Sequence, residues 1–513
     1  MNHNHSSLLA ALLLSLSYAL PAQYVHAESD LMIIEDDGSE ELMIEDDSET
    51  LSIDDGSGDS LSIDDDGLNL GDDLMIDESQ PGEPNQNLSE TLQNYSSTSQ
   101  QGVNVSLDKL WFEYGRYESD SPAEYQLYGH GKGTINWQGE KWELQASARL
   151  DYYEEHSDDS SDKAVPANAL SNNKGNWDKT KLDYDETFVR YRGNRGILTV
   201  GAQKVIWGRI DEVPPSDRLS TQDLRRGLQD DLEDRRLASA AVRYEHFIGD
   251  GKLDLLYIPR LRETELPDEN SVWYPINQRE GTILGLDTSP LIEYVVRNTP
   301  IDDDAPNTDG GFGIRFNQLG SGFDYALGIQ HGISTLPYFT YSTNRNVIEA
   351  RYLRSTTVSG DIGFEALGGT VKMEAAWNSD TPITRTDGRF DSVESLAWGI
   401  ALELFPGDSD TRLNLQLTGN HLIDAPDVLD RDKMASFNGT LDMPFGNNNW
   451  LARMRFNVGL DMSDLYFNPE LTYTGLSNQE IYLELHEYNG DTGSIGGFYK
   501  HNSLVNLGWR ITL

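Results

Sequence analysis

Every second residue from Val505 to Leu513 is apolar: Val505, Leu507, Trp509, Ile511 and Leu513. Between them stand Asn506, Gly508, Arg510 and Thr512. A period of two puts one greasy and one polar face on a strand, and no helix satisfies it. The same alternation runs through Trp142, Leu144, Ala146, Ala148, Leu150 and Tyr152, through Leu413, Leu415 and Leu417, through Ala452 to Leu460, and through Ile481, Leu483 and Leu485. The chain is therefore expected to be all-β from residue 105 onward.

Connection lengths narrow the choice further. Short turns are predicted at 138–140, 193–196, 249–251, 319–322, 367–369, 406–410, 444–449 and 475–479. Between them lie mostly longer polar loops, at 154–180, 208–236, 261–309, 334–346, 379–393, 423–433 and 489–502. Short and long connections alternate, as in a transmembrane antiparallel β-barrel with tight turns at one rim, and the pattern gives about 18 strands. The terminal strand resembles the closing strand of bacterial outer-membrane barrels, although many of those end in Phe and this one ends in Leu513. A C-terminal strand of a soluble sandwich is the alternative for that segment alone. Counting back from it, 105–117 should run outward and lie beside it at the seam.

Residues 1–27 have the form of a secretory signal peptide: an apolar run from Leu8 to Leu20, then Pro21 and Val25-His26-Ala27. The run is too short to cross a bilayer as a helix, and no later segment is long and apolar enough. The chain has no Cys, which excludes a disulfide scaffold and thiol-ligated metals. Its negative mean hydropathy is compatible with a barrel, which shows lipid only alternate residues. A net charge of −47 argues against nucleic acid as a partner.

Residues 28–80 repeat an apolar triplet, L-x-I, followed at once or nearly so by acids. The triplets are Leu31 with Ile33, Leu42 with Ile44, Leu51 with Ile53, Leu61 with Ile63, and Leu74 with Ile76. Between Glu28 and Ser79 there are 21 acidic residues and no Lys or Arg, so self-repulsion is expected to keep this leader disordered. Three readings stand side by side. The segment is a solvated spacer, an array of short motifs that bind a partner, or a calcium-binding tract. For calcium, the glycine spacing of a β-roll and the D-x-D-x-D-G loop are both missing. Residues 81–104 are a polar linker, and 105–513 form the barrel domain.

Parity along the clean strands places Arg149, Asp151, Asn414, Gln416, Asn420, Arg453, Arg455, Glu484, His486 and Arg510 toward the interior. The most unusual stretch is the long loop from Lys204 to Arg236, which leaves the fifth strand through Trp207-Gly208 and turns at Pro214-Pro215. It then becomes helix-like, with Leu219, Leu224, Leu228 and Leu232 spaced among charges. Arg218, Arg225, Arg226, Arg235 and Arg236 there face Asp217, Asp223, Asp230, Asp231, Glu233 and Asp234. It is either an inward constriction, with Trp207, Asp211, Arg218, Arg225, Arg226, Asp230, Asp231, Arg235 and Arg236 joined by Arg149, Arg453, Arg455 and Arg510, or an external helix covered in ion pairs. Loop 261–309, partly apolar, is a cap or a plug.

The stretch from Gly201 to Gly208 (GAQKVIWG), followed by Asp211 and Pro215 to Asp217, resembles a signature of Gram-negative outer-membrane porin-like barrels distantly similar to the alginate export porin, an 18-stranded barrel. The resemblance implies passive export or diffusion across the outer membrane, in some relatives beside inner-membrane efflux pumps. The acidic leader departs from that family, and no long basic track suited to alginate is visible. Expected surroundings are outer-membrane lipid and lipopolysaccharide, the barrel-assembly machinery, and a periplasmic or inner-membrane efflux partner reached through residues 28–80. No cofactor or metal is expected. The histidines form no H-E-x-x-H, and no G-x-S-x-G occurs, so the chain is not expected to be an enzyme. A triad assembled across strands stays open, since triads are spatial. The leading expectation is a channel or porin-like exporter for a polar or amphiphilic solute. The alternative is a plugged structural or adhesive barrel whose leader recruits a periplasmic partner.

Overall fold

The computed structural model describes residues 102–157, 173–407 and 410–512. The signal peptide and the leader assigned from the sequence lie outside the described residues. So do all the partner-binding candidates: Leu31 and Ile33, Leu42 and Ile44, Leu51 and Ile53, Leu61 and Ile63, Leu74 and Ile76.

Eighteen strands follow in chain order. The first six are β1 (Gly102–Tyr117), β2 (Tyr125–Gln138), β3 (Trp142–His156), β4 (Trp177–Tyr184 and Thr187–Arg192), β5 (Gly196–Gln203) and β6 (Ser239–Ile248). Next come β7 (Gly251–Ile258), β8 (Gly311–Gln318), β9 (Phe323–Ile333), β10 (Arg354–Ala366), β11 (Gly369–Thr384) and β12 (Phe390–Leu404). The last six are β13 (Arg412–Leu422), β14 (Lys433–Phe445), β15 (Trp450–Gly459), β16 (Asp464–Leu476), β17 (Gln479–Gly490) and β18 (Leu504–Ile511). β4 is broken at Asp185, which turns inward to Lys132 (3.3 Å) and Lys204 (3.4 Å), yet both its segments pair with β3. β1 begins at Gly102, inside the stretch expected to be linker.

Each strand pairs antiparallel with the next, and β1 pairs with β18 from Leu110↔Ile511 to Tyr117↔Leu504. The sheet therefore closes on itself at the seam expected from the sequence. Closure satisfies the backbone ladder without water, which is the condition for a sheet to cross a bilayer. The turns at one rim are tight. At Leu367-Gly368 both residues have positive φ (57° and 79°), the mirror-image turn that matches the twist of the flanking strands.

Side-chain parity follows the alternation. On β18, Val505, Leu507 and Trp509 face outward, whereas Asn506 is fully buried in the interior. The other residues assigned to the interior by parity are buried or half-buried there. Around the short-turn end the outer wall carries aromatic pairs, among them Trp142–Tyr191 (4.8 Å) and Trp450–Tyr473 (4.9 Å). Such rings suit a membrane interface. Leu507→Arg is expected to destabilise the barrel by about 2–4 kcal/mol in urea unfolding from vesicles, because it places a charge in the lipid band. An unchanged midpoint would mean that this face does not meet lipid.

The loop end is covered. Segment 259–310 forms a small hairpin (Ile276–Asn277 with Thr282–Ile283) and a helix, Pro290–Asn298, opened by Pro290 and by Ser289 Oγ accepting from the Ile292 amide (3.3 Å). Its strand Ile301–Asp302 joins the hairpin of Tyr338–Ser342 and Val347–Arg351. Tyr274, Ile276, Val296, Phe339 and Ile348 form the common core of this segment, the cap. A second core of Tyr117, Trp273, Tyr488, Tyr499 and Leu504 ties the cap to the seam.

Candidate constriction in the lumen

The connection between β5 and β6, residues 204–238, does not stay outside. It enters the barrel as a strap and is held by wall residues around much of its circumference.

Entry is fixed by Trp207, whose Nε1 donates to Asp254 on β7 (3.2 Å) and whose ring packs with Leu219, Leu256 and Ile258. A Cβ on Gly313 of β8 would lie 2.5 Å from that ring, so the indole needs glycine at that point in the wall. On β11, Glu374 accepts three strap amides, from Arg209 (2.7 Å), Ile210 (3.1 Å) and Ser216 (2.5 Å). Arg209 also reaches Asp361 on β10 (2.5 Å), and Gln330 on β9 donates to the Ser216 carbonyl (2.7 Å). Asp211 meets Asn414 on β13, with Arg412 (3.6 Å) and Lys372 (3.9 Å) beside it.

The strap then crosses to β1–β3. Arg225 Nη2 lies 2.8 Å from Asp151, and Arg149 Nη2 is 3.0 Å from Asp223, so two arginines and two aspartates interlock between wall and strap. Burial pushes the Asp223 carboxyl up, but the hydrogen bonds and charge of Arg225, with Arg149, outweigh it and hold the group below the ordinary carboxylate range. Arg226 pairs with Glu113 of β1 and with Asp230 (2.6 Å), and its guanidinium lies 4.2 Å from the Tyr128 ring. Beyond it, Gln126 donates to Gln229 Oε1 (2.6 Å), and Asn506 of β18 reaches the same oxygen (3.4 Å).

The last part faces β15, β1 and β18. Asp231 receives Arg453 (2.9 Å) and Arg455 (2.8 Å). Burial opposes the charge of Asp231 too, and the two arginines overcome it, so its carboxyl also sits below the usual range. Lys109 meets Asp234 at 2.8 Å. Arg510 pairs with Glu470 (3.2 Å) and lies 3.9 Å from the Tyr482 ring. Arg236 pairs with Asp217 (3.0 Å), Arg218 caps the Pro215 carbonyl (3.0 Å), and Arg235 is buried.

One expectation is corrected. The strap is not helical over its leucines: only Leu232–Arg235 makes a helical turn, and Thr221–Gln222 pairs with Arg236–Leu237 as a short ladder. Its charges meet one another, as Arg225 with Asp223, Arg226 with Asp230 and Arg236 with Asp217, and are shared at close range with Glu113, Asp151, Arg149, Arg453 and Arg455 on the wall. Glu113, Glu374, Asp361 and Gln229 were not among the sequence candidates. The parity of β1, with Phe112 and Tyr114 outward and Trp111 and Glu113 inward, is the signal that exposes Glu113. Glu374 binds backbone amides, which carry no residue signature. The candidates in the five L-x-I triplets, from Leu31 and Ile33 to Leu74 and Ile76, lie outside the described residues.

The cap presses on the strap. Gly227, at φ +63°, closes a turn beneath Trp273, where a Cβ would lie 2.7 Å from the ring. The Leu224 amide donates to Glu265 (2.8 Å), and the Glu265 amide to Gln222 (2.9 Å).

No protein-family model matches the chain, and no curated protein matches it. Among solved structures it is similar to Acinetobacter baumannii OccAB4 (10% identity over 82% of this chain and 99% of that one, TM-score 0.46). It is also similar to Pseudomonas aeruginosa OccK5 (OpdH), with 11% identity over 80% of this chain and 98% of that one and a TM-score of 0.45. The outer membrane channel DcaP of Acinetobacter baumannii matches at 10% identity over 81% of this chain and 99% of that one, with a TM-score of 0.37. The class rests on the chain's own pairings: a closed, antiparallel transmembrane β-barrel with a loop folded into its lumen.

Proposed function

We propose that the chain is an outer-membrane channel, a porin-like exporter for a polar or amphiphilic solute, with residues 204–238 as its constriction. The observation that carries this reading is the strap itself, held inside a closed barrel by charges from opposite walls. Paired charges set across a lumen create a transverse field that sorts solutes by charge and dipole. Arg149, Arg225, Arg226, Arg453, Arg455 and Arg510 each face a carboxylate, so they do not form a bare cationic ladder, and this favours a solute other than a polyanion. The leader precedes β1, which begins at the short-turn rim. In this reading that rim is periplasmic and the leader binds a partner there through its L-x-I triplets. Replacing Ile33, Ile44, Ile53, Ile63 and Ile76 together by Ser is then expected to abolish pull-down of that partner, and an unchanged pull-down would leave the leader a spacer.

One observation favours the second reading, a plugged structural barrel. Arg225 and Arg226 are only 2% and 4% exposed, and Trp273 clamps the turn beside them. Planar-bilayer recording separates the two. The channel reading expects resolved single-channel steps, equal in size with and without residues 28–80, since the leader serves a partner rather than the pore. A protein that inserts but stays silent supports the plug.

A further inference from the structure

At the seam the two strands do not end together. β18 pairs with β1 only from Leu110 upward, and the Thr512 amide continues the ladder on the β17 side, to the Asn478 carbonyl (3.0 Å). β1 continues to Gly102, paired on its other side with β2 as far as Gly102↔Gln138. Among the described residues, no strand pairs with the second edge of 102–109. Its outward side chains include the two most open apolar residues of the strand, Val103 at 67% and Val105 at 69% exposure, with Leu107 also exposed. A row of unpaired backbone donors and acceptors beside alternating apolar side chains is the template onto which an extended segment adds as one more strand.

We propose that this edge of β1 is a docking site for an extended segment of another polypeptide, apolar at alternate positions with basic or neutral residues between. Symmetry excludes a second copy of the barrel. Two copies in one membrane are related by an axis along its normal, so their β1 strands run the same way and present identical edges, donor against donor. Charge decides between the remaining occupants. The chain carries −47 overall, and the 21 acids upstream of the edge come with no Lys or Arg. The chain's own L-x-I triplets are flanked by those acids, so mutual repulsion opposes them, whereas a basic segment is attracted and steered. Near the edge itself the charges are matched in pairs, Asp108 with Ser106 (2.5 Å), Thr134 (2.5 Å) and Lys132 (3.9 Å), and Lys109 with Asp234 (2.8 Å), which leaves the acidic balance of the chain as the deciding field.

The test uses the full chain in lipid nanodiscs, with a short labelled peptide that alternates valine with lysine and a second that alternates valine with glutamate. Anisotropy should show the lysine peptide binding about tenfold more tightly or better, the value of roughly one or two hydrogen-bond equivalents. Hydrogen exchange of the wild-type chain should show alternate amides of 102–109 becoming protected. Asn104→Pro with Val105→Pro removes two consecutive amides, one of which faces the open edge, and should abolish binding. Heat-modifiable gel mobility checks that this variant still closes. Exchange over 102–109 that the peptide leaves unchanged would overturn the site, as would binding that survives the two prolines. Equal or tighter binding of the glutamate peptide would overturn the basic partner and return the edge to an acidic segment such as the leader. The outcome is independent of whether the lumen conducts.

Discussion

Replacing residues 209–236 by a short glycine-serine linker is expected to raise single-channel conductance several-fold and to admit larger sugars in liposome swelling. Barrels of roughly 16–18 strands leave an aqueous channel when nothing fills them. Here the filling is the strap, which meets β1, β3, β10, β11, β13 and β15 at once. Its removal leaves wall charges such as Asp151, Glu113 and Glu374 facing water, where they are solvated rather than stranded. The barrel should therefore survive, because its ladder does not run through the strap. A loopless barrel with unchanged conductance and sugar exclusion would mean that the restriction lies in the cap.

The second large effect concerns one ion pair. Arg226→Ala leaves Glu113 inside the protein with Tyr482 as its remaining donor (2.5 Å). Breaking a buried pair from one side costs about 3–5 kcal/mol, because the surviving charge is left without its counter-ion. The cost falls on strap docking rather than on the ladder. Protease cleavage within 223–236 and amide exchange there should rise sharply while the melting of the barrel moves little. Arg226→Met combined with Glu113→Gln should recover much of the loss, since a buried pair replaced as a whole is often near neutral. A single variant as protected as wild type would show that the pair does not hold the strap.

How far the molecule was legible in its sequence varies with the range of the interaction. Alternation is local, so β18 declared its lumen face through Asn506 and Arg510, and β3 through Arg149 and Asp151. Loop lengths then gave strand number and the β1–β18 seam. The strap was legible as an oddity but not as a shape. Leu219 packs against Trp207 and Leu232 sits in a single helical turn, so tertiary contacts overrode the helical spacing of the leucines. Its arginines find acids far away in the chain, Arg226 at Glu113 and Arg225 at Asp151, and no spacing rule reports such pairs.

Gln229 hydrogen-bonds Gln126 on β2 and approaches Asn506 on β18, placing the strap on both sides of the seam. The pairing of Leu110 with Ile511 joins the two ends of the domain, the costliest closure in the fold, because it waits for everything between. A segment from the middle of the chain that grips the first hairpin and then the last strand divides that closure into two shorter ones. In that sense the part that narrows the lumen also ties the first hairpin to the last strand across the seam.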